Sequence, residues 1–196
     1  MTASISSEAL DQVFLKARTH NAWQKRDVSD DLLRQLVDVL KMGPTSANCS
    51  PARFVFVKSA EAKARLKPHL MDGNVEKTMA APVTAIIATN YRFYDSLPML
   101  FPHTDAQSWF TGNKDLADLS AFRNATLQGG YFILAARALD LDCGPMSGFN
   151  NAGVDKDFLS REEYRSNFLC NLGYGDPVGL EPRSPRFDFD EMARII

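Results

Sequence analysis

Apolar positions along the chain recur with two periods, and their alternation lays out an order of helices and strands. Leu10, Val13, Phe14 and Ala17 follow helical spacing behind a Ser7 cap, which predicts an amphipathic helix over 7–17. Leu32, Leu33, Leu36, Val37 and Leu40 line a second helix, opened by Ser29 and the acidic Asp30 and Asp31 and closed at Gly43. A strand over 53–57 follows, and Ser59 then caps a short charged helix through Leu66 that Pro68 ends. Residues 71–74 read as a turn, 75–80 as one or two helical turns, and the uninterrupted apolar run 83–89 as a central strand. The longest pattern, 115–139, sets Leu116, Leu119, Phe122, Thr126, Leu127, Tyr131, Leu134, Ala135 and Ala138 on a broad stripe. A helix apolar over more than one face must be covered, and a subunit interface would cover it. Gly129 and Gly130 lie inside it and cost about 1 kcal/mol each against Ala, so a packing reason is expected. Residues 143–149 bring the chain round with backbone amides exposed, and 167–175 reads as a strand ending in a glycine turn.

The segments between these elements are unusually polar. Pro44, Thr45, Ser46 and Asn48 stand between the second helix and the strand at 53–57. They make either an ordinary connection of turn formers or a set of hydrogen-bonding groups held between two rigid elements. Arg18, Thr19 and Asn21 put a cation, a hydroxyl and an amide beside Trp23, which suits an anion such as a phosphate, or a helix end anchored by its aromatic. Asn74 and Lys77 share one helix face. Over 91–110 aromatics alternate with breakers, as in a surface excursion or a pocket wall, and His103 within it reads as a surface loop histidine. Arg183 and Arg186 form a late basic pair.

Composition narrows the classes. The 196 residues carry no linker-like stretch, so 1–196 is read as a single domain, and 45% hydrophobic with 23% charged residues argues against disorder. A formal charge of -2 provides no basic field, which argues against nucleic acid as a partner while leaving room for a small anion. Three widely spaced cysteines suggest neither a disulfide framework nor a zinc site and fit a reducing cytoplasm. Residues 1–10 lack the basic start and apolar core of a signal peptide, and no apolar run approaches the roughly 18 residues of a membrane span, so no membrane partner is expected.

Taken together and in this order, the segments resemble the flavin-dependent nitroreductase family. Its early Arg-Ser/Thr-x-Arg/Asn-x-aromatic motif is matched by Arg18-Thr19-His20-Asn21-Ala22-Trp23, and its Pro-Ser-x-x-Asn-x-x-Pro type loop is matched loosely from Pro44 to Pro51. A glycine-rich turn, Gly144-Pro145-Met146-Ser147-Gly148, and the basic pair complete the set. The texture of these stretches is similar to the malonic semialdehyde reductases of pyrimidine utilisation within that family. The resemblance implies an α+β, nitroreductase-like fold: a central mixed sheet flanked by helices in an intertwined homodimer, with FMN at the interface and each site built from both chains. It assigns Arg18, Arg183 and Arg186 to the phosphate and Thr19, Asn21, Asn74 and Lys77 to the ribityl chain or pyrimidine edge. Pro44, Thr45, Ser46 and Asn48 would reach the partner's flavin, and Pro145, Met146 and Ser147 would lie against the ring. NADPH or NADH would reduce FMN, and malonic semialdehyde would then be reduced to 3-hydroxypropionate. Ser147, His103 and a water are left open as proton donors. A nitroreductase or quinone reductase of the same family, or a flavin-binding dimer without turnover, are the alternatives. Three positions depart from the family's pattern. Asp140 stands where Gly is usual, Ser50 where Gln is common, and Arg183 and Arg186 are one residue further apart than the usual Lys-x-Arg.

Overall fold

The computed structural model describes residues 4–196; the part of the signal-peptide reading that falls on residues 1–3 lies outside them. Nine α-helices are described: α1 (Ser7–Leu10), α2 (Asp30–Leu40), α3 (Ala60–Leu66), α4 (Asp72–Ala80), α5 (Leu97–Leu100), α6 (Ser108–Thr111), α7 (Lys114–Ala138), α8 (Asn151–Phe158) and α9 (Phe189–Met192). Strands β1 (Ala52–Val57), β2 (Val83–Asn90), β3 (Asp142–Met146) and β4 (Tyr164–Gly173) form one sheet in the order β1-β2-β4-β3. Every neighbouring pair is antiparallel. The mixed character implied by the resemblance is confined, among the described residues, to one parallel bridge between Thr19 and Cys143. β2 is buried along its whole length, which explains an apolar run without alternation.

Side chains of β2 alternate between two cores. Val83, Ala85 and Ile87 face α2 and α7, where Leu33, Leu36, Leu40 and Phe132 close over them. Ile86 faces the other way, with Leu66 of α3 and Val154 of α8. A third cluster joins Cys49, Phe93, Leu97 and Phe110 to Ala117 and Ala121 at the start of α7.

α7 therefore lies on the sheet through small residues. A Cβ on Gly129 would stand 2.5 Å from the Phe168 ring, so the expected packing reason exists there; Gly130 faces open space and has none within the chain. On the opposite side of the helix Leu116, Leu119, Phe122 and Leu127 are 41–52% exposed. Four large apolar side chains in a row exceed what a monomer surface ordinarily leaves in water.

Several local expectations give way to tertiary bonding. The first helix is capped by Ser6 rather than Ser7 and runs into a π turn, Asp11–Leu15. The helix α2 stops at Leu40, ahead of Gly43. Residues 71–74 are no turn: α4 starts at Asp72, because the Met71 amide and the Asn74 side chain both donate to the Gly148 carbonyl. Nor are the amides of 143–149 exposed as a group, since β3 takes them as far as Met146 into the sheet.

The departure at Asp140 has a definite geometry. Leu141 N–H donates to the Ala136 carbonyl and Asp140 N–H to that of Arg137, which is the double bond pattern of a Schellman cap, and Asp140 holds the left-handed position with φ 62°. Asp tolerates that conformation less well than Gly. Replacing Asp140 with Gly should raise stability by about 0.5–1 kcal/mol, or roughly 1–4 °C in Tm. A melt of D140G that coincides with wild type would remove the strain from this cap.

Candidate functional site

The carbonyls at the end of the π turn have no helical partners, and the chain terminus supplies them. Arg183 donates from Nη2 to the carbonyls of Leu15 and Ala17 at 2.9 Å each, while Arg18 donates in return to the Glu181 carbonyl. The first and last segments are thereby locked together around a cavity of about 500 Å³ lined by Arg18, Thr19, Asn21, Arg183 and Arg186. A fourth cation on the wall, Arg137 in the last turn of α7, was not singled out by sequence. Its only signal was a cation at a helix C-terminus, which is commonplace. Among the described residues no carboxylate forms an ion pair with any of these four guanidiniums, and Glu181 is the one acidic group on the wall. Such a cluster suits a multiply charged anion with oxygens for paired N–H donors. Among the described residues Arg186 bonds only to the carbonyls of Ser184 and Pro185 in its own segment, so Arg183 is the better anchored of the pair.

From Arg18 the chain runs along the end of the sheet. Thr19 bridges Cys143, His20 N–H donates to the Cys143 carbonyl at 3.0 Å, and Trp23 bridges Gly175. The buried His20 ring sits 3.4 Å from Asp142, whose carboxylate also accepts from Gly175 N–H at 2.7 Å. Trp23 Nε1 donates to the Lys77 carbonyl at 3.1 Å, and Asn74 Nδ2 to the Gly148 carbonyl at 2.8 Å. The segments that carry the predicted residues near 18–21, 74–77 and 145–147 are thus held next to one another through bonds of their neighbours His20, Trp23, Cys143 and Gly148. Lys63 fixes the end of α4 by donating from Nζ to the carbonyls of Thr78 and Ala81, and burial pushes its ammonium down to about 8. Met146 turns inward, its sulfur 3.5 Å from Thr78 Oγ1, while Pro145 and Ser147, on the other side of the chain, keep exposure.

The loop with Pro44, Thr45, Ser46 and Asn48 is elsewhere. Among the described residues no hydrogen bond joins it to the cradle. It is held by the long helix and the aromatic excursion: Ser46 N–H donates to Asn124 Oδ1 at 2.9 Å, Tyr131 Oη to the Pro44 carbonyl at 2.9 Å, and Asn48 Nδ2 to the Leu100 carbonyl at 2.9 Å. Thr45 Oγ1 accepts from Ser50 N–H at 3.1 Å. Ala47, Asn48 and Ser50 have φ of 50°, 50° and 38°. For Ala47 that conformation costs about 1–2 kcal/mol, and such stored strain clusters at working surfaces. Cys49 beneath it is no nucleophile, since burial pushes its thiol up to about 11. His103 is exposed, edge-on to Phe101, and Trp109 beyond it is 49% exposed.

Residues 15–174 match the family model described as the Nitroreductase family, and the chain belongs to that family. A Burkholderia lata protein, named provisionally as an NADH dehydrogenase/NAD(P)H nitroreductase, is 66% identical over 192 residues, covering 98% of each chain. One of the same provisional name from Xanthomonas oryzae is 58% identical over 195 residues, covering 100% of both. Among solved structures, a provisionally named nitroreductase of Bacillus subtilis superposes with a TM-score of 0.87 at 15% identity over 97% of this chain and 100% of its own. One from Exiguobacterium sibiricum, solved in complex with FMN, gives 0.84 at 20% identity over 100% and 99%. These last two likenesses concern the fold.

Proposed function

We propose that the chain is an FMN-dependent NAD(P)H oxidoreductase acting as a cytoplasmic homodimer. The observation that carries this is the cluster of guanidiniums without carboxylate partners, beside hydroxyl and amide groups, in a chain of the nitroreductase family. That donor set fits the phosphate and ribityl oxygens of FMN. When bound, FMN would supply the hydride chemistry between nicotinamide and acceptor. The chain's own part is to hold and orient: Arg18, Arg183 and Arg186 at the phosphate, Thr19, Asn21, Asn74 and Lys77 along the polar length, and Pro145, Met146 and Ser147 toward the ring. The exposed apolar stripe of α7 supports the dimer, whose partner loop would bring Thr45, Ser46 and Asn48 to the site. Ser147, exposed beside these groups, is the candidate proton donor.

For the acceptor we take malonic semialdehyde, on the resemblance of the motifs. A nitroaromatic or quinone acceptor is the second reading, favoured by the name of the 66% identical relative and by the exposed ring of Trp109, which packs on the partly buried Phe101 near the loop. Steady-state rates decide between them. The purified protein should be yellow and bleached by NADPH, and it should oxidise NADPH with malonic semialdehyde at a kcat/KM at least tenfold above that with a nitroaromatic. Good nitroaromatic turnover with malonic semialdehyde untouched would overturn the acceptor; a colourless protein that takes up no FMN would overturn the whole reading.

A further inference from the structure

We propose that Arg137 is the fixed floor of the phosphate cradle and sets the preference for FMN over riboflavin, its unphosphorylated form. The inference rests on the FMN reading and names a residue that neither the motifs nor the family resemblance assigns.

Arg137 differs from the other three cations in how it is held. It projects from the last turn of the 25-residue α7, whereas Arg183 and Arg186 lie on an exposed tail. Its Nη1 donates to the Val13 carbonyl at 3.0 Å and its own carbonyl accepts from Gln12 Nε2 at 2.8 Å, so the π turn clasps it from both ends. Its Nε is buried and has no hydrogen-bond partner among the described residues. A guanidinium cannot escape burial by losing its proton, as a lysine can. A buried N–H without an acceptor is costly, and a buried charge without a counter-charge more so. The side chain lines the cavity and its Nη2 is neither buried nor hydrogen-bonded among the described residues, so an anion entering the cavity meets that donor and offsets the charge behind it.

A second argument concerns the helix. Arg137 stands at the negative end of the α7 dipole, which by itself would repel a phosphate dianion close by. A cation fixed at that end cancels the repulsion and turns the helix terminus into a surface an anion can approach. Arg18, Arg183 and Arg186 lie outside α7, so none of them stands in its last turn.

The test is equilibrium titration of flavin-stripped dimer with FMN and separately with riboflavin, followed by flavin fluorescence, for wild type, R137Q and R137M. R137Q keeps a donor for the Val13 carbonyl and loses the charge, so it covers the case in which R137M folds poorly. Loss of one charge-assisted bond should raise the FMN Kd tenfold to a hundredfold in both variants while the riboflavin Kd stays within twofold. Wild-type FMN affinity should also fall below about pH 6, where phosphate loses its second charge, and the fall should flatten in R137Q. Equal weakening toward both flavins would make Arg137 a structural residue and overturn the proposal, as would an unchanged FMN Kd. Wild type binding neither flavin would overturn the FMN reading itself.

Discussion

Gly144→Ala should lower stability by about 2–3 kcal/mol, or roughly 5–10 °C in Tm, and cost at least tenfold in FMN affinity. The position lies mid-strand in β3 with no unusual dihedral, so the cause is space alone. A methyl there would stand 2.6 Å from the His20 carbonyl oxygen, 3.3 Å from the Trp23 ring and 3.5 Å from Asn171 Cβ. The first of these is backbone and cannot swing aside as a side chain would. Segment 18–23 would have to lift from the sheet, losing the Thr19–Cys143 bridge and the His20 bond to the Cys143 carbonyl, and with them the register of Arg18, Thr19 and Asn21. Gly112→Ala, at a glycine that faces open space, should change stability by less than about 0.5 kcal/mol and serves as the control. A G144A protein that melts with wild type and binds FMN as well would show that the close approach of strand and motif is not what positions the site.

That close approach also shows where the sequence was readable and where it was not. β2, α2 and α7 were legible because long apolar patterns report burial directly. β3 was not, since Gly144 and Pro145 are poor strand formers and the strand exists because His20 and β4 press on either side of it. The start of α4 misled for the same reason: Asp72-Gly73-Asn74 is turn chemistry locally, overruled by two bonds to Gly148 some seventy residues on. The stripe on α7 pointed to a covered face, but apart from Phe132 the buried side of that helix is made of Ala, Gly, Asn124 and Gln128, which hydrophobicity alone does not mark. In the site, Arg18 and Arg183 were readable as cations, while the carbonyls that orient them are backbone atoms and carry no signature. Met146 was placed by motif position, and the pleat of β3, which buries its side chain beside Thr78, carries no signature in that motif.

Mixing two inactive variants should restore about a quarter of the sites, if the strained loop serves the partner's flavin. The first variant, R18A, removes a phosphate donor and should weaken FMN binding by tenfold to a hundredfold. The second, N124L, keeps the branched outline of a buried side chain but leaves the Ser46 amide without its acceptor, so that the turn with Ala47, Asn48 and Ser50 at positive φ relaxes. Within one chain the two sites of damage share no hydrogen bond, so neither defect transmits directly to the other. In a two-fold dimer each flavin site takes its cradle from one chain and its loop from the other. An equal mixture assembles with about half its dimers mixed, and in each of these one site carries both defects and the other carries neither; the intact sites are then about a quarter of the total. Co-expression of the two chains with different tags, followed by isolation of the doubly tagged dimer, should give one FMN per dimer at a flavin concentration where each parent holds almost none. If cradle and loop served the same chain's flavin, every subunit would carry one defect and the mixed dimer would hold no more FMN than its parents.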